Sequence, residues 1–372
     1  MVNWLHSLRR KLKEEQASII YPHEGFLPPS QDTFAAIGEL SRVVRNNPDA
    51  VEIYLALGNL FRSQGEIERA IQIRTNLIAR PHLEPQFKAR AWYELGLDYK
   101  RAGILDRAQA ALEQAHKITG DDPAVMKEMA RLAADSNNFS KAAQHYALLD
   151  QPLPQAHYLV RAARQEEEKS GDARAGYKLI EKALKVYPGS VEAWLEIVCR
   201  DYRHQNWTNL RFDLKSGLQN VESQLRFVLL EGLFQFIAAR SAMDENIKDQ
   251  AECSSIVANT VAGLEQDMVL CYYCAIFMKQ CGRYSRCLEW LEKTLVLSPD
   301  FWPARLEILE LSLDDQAMTE SFKTQLMFFT RRAKSVKRFV CQKCGLKREQ
   351  LFFNCPRCYS WHSISFRTQL GE

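Results

Sequence analysis

The sequence lacks the signals of a membrane-spanning chain, a secreted chain and most classes of enzyme. Its most apolar later stretch, residues 227–239, contains Glu231 and is shorter than the roughly 20 apolar residues that a spanning helix needs. The N-terminus has no uninterrupted apolar core of a secretory signal. A His-Glu-x-x-His motif, a glycine-rich phosphate loop and a nucleophile elbow are all missing. We therefore expect a cytoplasmic protein that is not an enzyme.

An excess of one charge is also missing. The chain has 49 Lys and Arg residues against 46 Asp and Glu residues, so its composition requires no polyanionic partner. Basic residues are nonetheless concentrated near the C-terminus, in a run that contains no acid. This run is compatible with a solvated linker, or with contacts to anionic lipid, nucleic acid or an acidic protein surface. Its members are Arg331, Arg332, Lys334, Lys337, Arg338, Lys343, Lys347 and Arg348.

Four of the ten cysteines form two Cys-x-x-Cys pairs that are separated by ten residues, Cys341/Cys344 and Cys355/Cys358. Each pair can wrap a backbone turn around a metal ion, and four thiolates close a tetrahedral shell without an open position for water or substrate. The spacing therefore predicts one structural metal ion, and zinc and iron both accept four sulfurs. Two disulfides are the alternative, which a chain without a secretory signal disfavours.

The residues that follow each pair fit two metal-binding turns. Gly345 allows the positive φ angle at which backbone N–H groups point toward sulfur, and Pro356 stiffens the second turn. Tyr359 stands where the second turn would favour glycine, so we expect that turn to be less ideal. So small a segment has too little core to fold alone, and metal binding should contribute most of its stability.

A repeated helical pattern fills most of the remaining chain. Residues 50–73 place a bulky anchor (Tyr54), a small residue (Gly58) and an alanine in the second helix (Ala70) in an order that returns at residues 88–115. This is the tetratricopeptide pattern, in which the small residue lies where two antiparallel helices touch. We predict an all-α superhelix of six to eight helix pairs, some of them degenerate.

This pattern divides the chain into three parts. Residues 1–31 are a basic amphipathic segment followed by a proline-containing linker, residues 32–330 are the repeat array, and residues 331–372 are a basic linker with a rubredoxin-like metal knuckle. The first segment is predicted to lie on a membrane surface or to pack on the first helix.

A second metal site at Cys271, Cys274, Cys281 and Cys287 is conceivable, but the repeat register places three of these residues in packing positions. Free cysteine behaves there as a small buried hydrophobe. We therefore interpret them as core residues, together with the other cysteines of the array, Cys199 and Cys253.

The first helices of the repeats are expected to line a concave surface that binds proteins. Polar side chains between the packing positions are the candidates for partner contacts, and two basic residues before the knuckle are added to them. The full set is Glu52, Asn59, Arg62, Glu94, Asp98, Arg101, Lys337 and Arg338.

Two stretches resemble the lipopolysaccharide assembly protein B family of Gram-negative bacteria: residues 55–73 in the repeats and residues 341–361 in the knuckle. The resemblance implies tetratricopeptide repeats followed by a rubredoxin-type knuckle, with metal ligands at positions matching Cys341, Cys344, Cys355 and Cys358. It also implies an adaptor at the cytoplasmic face of the inner membrane, which helps a membrane-anchored AAA protease to degrade the lipid A deacetylase. Family members typically begin with a transmembrane helix, whereas this sequence begins with the short basic segment, so peripheral attachment is expected.

Three other functions are compatible with the residues. In the first, the knuckle is a zinc ribbon that binds nucleic acid, with its basic residues on phosphates and aromatic residues stacking on bases. The second is a general scaffold for envelope assembly or secretion, and the third is redox catalysis by the cysteine pairs. The aromatic candidates for stacking are Phe352, Phe353, Tyr359 and Trp361.

Overall fold

The structure is a computed structural model, and it describes residues 31–46, 50–171, 173–241, 247–265, 267–315 and 318–368. Within these ranges the chain forms 17 α-helices followed by three short β-strands, so the predicted all-α repeat fold with a small C-terminal knuckle is confirmed. The amphipathic segment predicted at the N-terminus lies outside the described residues. None of the described helices is long and apolar enough to cross a lipid bilayer.

The helices are α1 (Gln31–Asn46), α2 (Val51–Gln64), α3 (Ile67–Ile78), α4 (Pro85–Arg101), α5 (Leu105–Thr119), α6 (Pro123–Asp135), α7 (Phe139–Leu148), α8 (Pro152–Ser170), α9 (Ala173–Val186), α10 (Val191–Arg203), α11 (Trp207–Asn220), α12 (Arg226–Ser241), α13 (Ile247–Ala262), α14 (Met268–Gln280), α15 (Tyr284–Leu297), α16 (Trp302–Asp315) and α17 (Glu320–Lys334). The strands are β1 (Phe339–Cys341), β2 (Lys347–Arg348) and β3 (Ile364–Phe366).

Helix boundaries follow local sequence signals. Gly65 ends α2 with φ 83°, and the N–H of the next residue donates to the carbonyl of Phe61, which closes the helix end. Asp122 begins α6, since its carboxylate accepts from the N–H of Ala124 at 2.8 Å and Pro123 follows it as the first helical residue. Such signals stop one helix and start the next, which produces the alternation of first and second helices.

The chain divides into two compact units, residues Met1–Tyr158 and Leu159–Glu372. In the first unit α2 packs on α3, α4 packs on α5, and the first helices α2 and α4 also contact each other. Gly96 shows why small residues recur, because a Cβ atom there would lie 2.8 Å from the Leu112 side chain on α5. The predicted boundaries at residues 31 and 330 stay predictions.

The second unit has one continuous apolar core that is shared by its helices and its strands. Residues of α10 through α16 contribute to this core, and so do residues between 339 and 366. The cysteines interpreted as core residues are buried, which confirms that interpretation; among them only Cys281 is half-buried. The buried ones are Cys199, Cys253, Cys271, Cys274 and Cys287.

The strands form a small antiparallel sheet in the order β2-β1-β3. Phe339 pairs with Phe366, and Cys341 pairs with Ile364. The residues predicted to begin a basic linker at position 331 instead form the last turn of α17, which ends at Lys334. Only residues 335–338 connect this helix to β1.

Candidate metal centre and its seat on the repeats

Two backbone turns of the same form present the four knuckle cysteines. In the first turn the N–H of Gly345 donates to the carbonyl of Cys341 at 2.8 Å, and in the second the N–H of Tyr359 donates to the carbonyl of Cys355 at 2.8 Å. Gly345 has φ 70° and Tyr359 has φ 55°. Both turns therefore need a left-handed residue, which is natural for glycine and strained for tyrosine.

The four sulfur atoms lie together as the spacing predicts. All lie within 4.8 Å of one another, and the Sγ distances are 3.7 Å for Cys341 to Cys358 and 3.6 Å for Cys344 to Cys355. A tetrahedral ion with metal–sulfur bonds of about 2.3 Å separates its ligands by about 3.8 Å, so these residues fit a metal ion. A disulfide needs about 2.05 Å, and all four are free thiols.

Hydrogen bonds favour the thiolate form in part of this cluster. Burial disfavours a charge on Cys341, but the hydroxyl of Ser363, 3.2 Å from the sulfur, and two backbone N–H groups of the turn outweigh burial and lower the pKa to about 5. The Ser360 hydroxyl, 3.0 Å from the sulfur of Cys358, lowers the pKa of that thiol. Thiolates are the form that binds metal, so these groups favour ligation.

Aromatic residues attach the knuckle to the repeats of the second unit. Phe366 on β3 lies 5.9 Å from Phe227, 6.0 Å from Tyr272 and 5.8 Å from Phe301, measured between ring centroids. Phe339 on β1 stacks on Phe227 at 6.0 Å. The apolar face of the sheet therefore packs into the core formed by the helices, and the knuckle does not have a separate core.

Two buried acids of the array meet basic residues of the knuckle segment. Arg338 donates to Glu231 on α12 at 3.3 Å, and the ring Nε2 of His362 lies 3.1 Å from the carboxylate of Glu192 on α10. Both carboxylates are almost fully buried. Because an unpaired buried charge is costly, these contacts fix the position of the knuckle on the array.

The basic run has two kinds of members. Lys334 is paired with Glu307 at 3.0 Å and with Glu310 at 2.6 Å, and Arg338 is paired as described above. Arg331, Arg332 and Lys337 are exposed. Some residues of the run therefore form ion pairs that hold α17 and the knuckle segment against the array, and the others form an exposed basic surface.

Four of the residues predicted to contact partners instead contact one another in the first unit. Arg62 donates to Glu94 at 2.7 Å and to Asp98 at 2.9 Å, and Asn59 accepts from Arg62 at 3.0 Å. A partner contact requires an exposed side chain, and the prediction that Glu94 and Asp98 are exposed is wrong, because both are almost fully buried. Their partner role stays a prediction without support from exposure.

The residue that sequence reasoning missed in this network is Arg74 on α3. Its side chain is fully buried, donates to Asp98 at 2.5 Å and to Asn59 at 2.6 Å, and fills the space above Gly58. A Cβ atom at Gly58 would lie 3.0 Å from the guanidinium, so the glycine makes room for a buried arginine. An arginine in an apolar second helix, one turn after Ala70, is the signal that could have found it.

The remaining candidates for contacts lie on the surface. Glu52, Arg101 and Lys337 are exposed. Among the aromatic residues considered for base stacking, Phe352 is buried, Phe353 and Trp361 are half-buried, and Tyr359 is exposed. Most of the aromatic set is therefore used for packing.

Comparison with known proteins gives relatives along nearly the full chain. The chain is 23% identical to lipopolysaccharide assembly protein B of Escherichia coli strain K12 over 335 residues, which cover 87% of this chain and 82% of the relative. The protein of the same name from Haemophilus influenzae is 24% identical over 331 residues, with coverage of 84% and 78%. A tetratricopeptide-repeat family model matches residues 31–73.

The resemblance to lipopolysaccharide assembly protein B is confirmed. Three observations support it: relatives of that name, a match to a tetratricopeptide-repeat family model, and four clustered cysteines near the C-terminus.

Solved structures that are similar to this chain include MamA and a tetratricopeptide repeat protein. MamA shares a TM-score of 0.33 and 21% identity, covering 42% of this chain and 88% of its own. A tetratricopeptide repeat protein from Parabacteroides merdae shares a TM-score of 0.29 and 13% identity, covering 81% of this chain and 93% of its own.

Proposed function

We propose that this protein is a non-catalytic adaptor in the control of lipopolysaccharide synthesis. The observation that carries the proposal is the likeness to lipopolysaccharide assembly protein B, which extends over 87% of this chain and 82% of the relative. Repeat helices are suited to binding proteins, since their first helices present a broad row of side chains. The adaptor itself makes and breaks no bond.

The metal ligands in this proposal are Cys341, Cys344, Cys355 and Cys358. A bound zinc or iron ion would cross-link the two turns in a closed shell of four sulfurs. Ser360 and Ser363 would support the thiolates by hydrogen bonds to sulfur. Because the sheet next to the cysteines shares the core of the second unit, loss of the metal should weaken the array as well as the knuckle.

The partners we infer are a membrane-anchored AAA protease and the lipid A deacetylase, which the adaptor would bring together at the cytoplasmic face of the inner membrane. The resemblance motivates this choice. Exposed candidates for contacts are Glu52 and Arg101 on the first helices of the first unit and Lys337 beside the knuckle. A general scaffold for envelope assembly would use the same surfaces with other partners.

The test is a crosslinked pull-down from membranes of the native host. Truncation before Arg331 is a poor variant, because it removes Phe339 and Phe366 from the core of the second unit. We would instead compare the full chain with Cys341→Ser/Cys344→Ser, and use Cys271→Ala/Cys274→Ala as the matched control. Recovery of the protease and the deacetylase with the full chain and the control, and their loss with the serine variant, is expected.

The cellular readout is the level of the deacetylase. Deletion of the adaptor should raise this level, and the full chain and the alanine control should restore it. Recovery of neither protein, together with an unchanged deacetylase level, contradicts the adaptor function.

A further inference from the structure

Helix α17 exposes large apolar side chains to solvent. Phe322, Met327, Phe328 and Phe329 are 55%, 44%, 62% and 64% exposed, a concentration that no other described helix matches. Exposed apolar residues that occur singly need no explanation, whereas a contiguous set marks an interaction surface.

The three phenylalanine side chains among them are held away from the array, whereas Met327 lies outside their arc. Thr330 is buried, and Lys334 is paired with Glu307 and Glu310 on α16, so one side of α17 is fixed against the protein. At about 100° per residue, Phe322, Phe328 and Phe329 lie within an arc of about 120° on the other side. We call this arc, with Arg332 inside it, the outward face of α17.

Basic charge borders the same face. Residues 320–338 contain one acid, Glu320, and six Lys or Arg residues. Lys334 and Arg338 are paired with acids of the array, but Arg331, Arg332 and Lys337 are exposed, and none has an ion-pair partner among the described residues. The face therefore combines aromatic rings with positive charge that no described residue neutralises.

This combination favours an anionic lipid surface as the occupant. Aromatic and aliphatic side chains enter the boundary between headgroups and acyl chains, while arginine and lysine reach the phosphates. A purely apolar protein surface would leave the arginines unpaired, and nucleic acid would leave the three phenylalanines without a partner along one helix face. An anionic lipid surface satisfies both groups.

We propose that the outward face of α17 docks on an anionic lipid surface. The inference does not rest on the adaptor function, because it follows from exposure and charge on this helix alone. One such face gives weak, reversible attachment. Docking here would place the neighbouring knuckle close to the membrane.

The experiment is co-sedimentation of the full chain with vesicles of phosphatidylethanolamine and phosphatidylglycerol, compared with vesicles of phosphatidylcholine. Binding to the anionic vesicles should weaken by about tenfold in Phe328→Ser/Phe329→Ser, which loses apolar contact. It should also weaken by about tenfold in Arg331→Gln/Arg332→Gln, which loses attraction to phosphate. Matched controls are Phe212→Ser/Tyr284→Ser, which removes exposed rings elsewhere, and Lys182→Gln/Lys185→Gln; both should bind like the wild type.

Hydrogen exchange of the full chain with and without anionic vesicles locates the contact. Protection of peptides from residues 320–334 is expected. Protection confined to residues 1–30, equal binding to phosphatidylcholine, or unchanged binding of both α17 variants overturns the proposal. So does a change of the oligomeric state in Phe328→Ser/Phe329→Ser without vesicles, since that result assigns the face to a second copy of the chain.

Discussion

Two Cys-x-x-Cys pairs of this chain have the same spacing and opposite environments. Cys271 and Cys274 lie on α14, are at most 4% exposed, and have pKa values raised by burial. Cys341 and Cys344 lie on a turn within 4.8 Å of two further cysteines. Backbone N–H groups on a helix bond to carbonyls one turn earlier, whereas those on the turn face sulfur. The backbone, and not the spacing alone, decides which pair can hold a metal ion.

The largest expected effect is a difference in bound metal between variants of the knuckle pair and variants of the helical pair. Cys341→Ser/Cys344→Ser should lower the metal from about one ion per chain to nearly none, because two of four thiolates are lost. Cys271→Ala/Cys274→Ala should keep its metal and lose about 1 kcal/mol of stability for each deleted sulfur. Elemental analysis of the purified proteins measures the metal. Equal metal loss in the two variants would show that the helical pair is also involved.

Thiol reactivity should give the next largest difference. After chelation, Cys358, which is exposed and has a thiol pKa lowered by the Ser360 hydroxyl, should react with iodoacetamide at least about 100-fold faster than the buried cysteines of the array, since burial raises thiol pKa values and excludes the reagent. Burial raises the pKa of Cys287 to about 11, for example. Mass spectrometry of peptides after timed labelling measures the rates. Chain unfolded in guanidinium is the control, in which all ten cysteines should react alike.

A smaller effect tests whether the knuckle shares the core of the repeats. Phe366→Ala should lower the free energy of unfolding of the second unit by about 4 kcal/mol, because the ring contacts Phe227, Tyr272 and Phe301. Urea unfolding followed by circular dichroism measures the loss. Tyr359→Ala, at an exposed ring of the same knuckle, is the control and should not be destabilised by more than about 1 kcal/mol. Equal losses in the two variants would mean that the core is not shared.

The smallest effects compare the two metal-binding turns. Gly345→Ala should cost about 1 kcal/mol, because alanine is strained at φ 70° although nothing lies within 4 Å of its Cβ atom. Tyr359→Gly should stabilise the second turn by up to about 1 kcal/mol, since φ 55° suits glycine. Metal-release rates in a competing chelator measure both changes. The same sign in the two variants would contradict the strain argument.

Sequence reasoning predicted the parts of this fold that local patterns specify. The repeat register places Gly96 against Leu112, and the spacing of four cysteines predicts the cluster that the structure contains. Both follow from residues close together in the chain, where periodicity and turn geometry leave few alternatives.

Longer contacts could not be predicted in this way. Arg338 meets Glu231 across 107 residues, and His362 meets Glu192 across 170 residues, with no pattern in the sequence that joins them. The burial of Glu94 and Asp98 was also missed, because a repeat register does not reveal that Arg74 neutralises them from the next helix. Pairing of buried charges depends on the packed structure, which a single sequence does not display.

The shared core has a consequence for how the chain folds. Repeat proteins normally gain structure from contacts between neighbours, which can form while the chain is still being made. The core of the second unit instead includes residues from Val191 to Phe366, so it cannot be complete before the segment with Phe339 and Phe366 is made. Closing such long loops is slow, and it leaves apolar helices exposed until residues 339–366 have been made. Supply of the metal then acts after the helices of the second unit have been made, so a cell short of it would accumulate chains in which this unit is synthesised but incompletely folded.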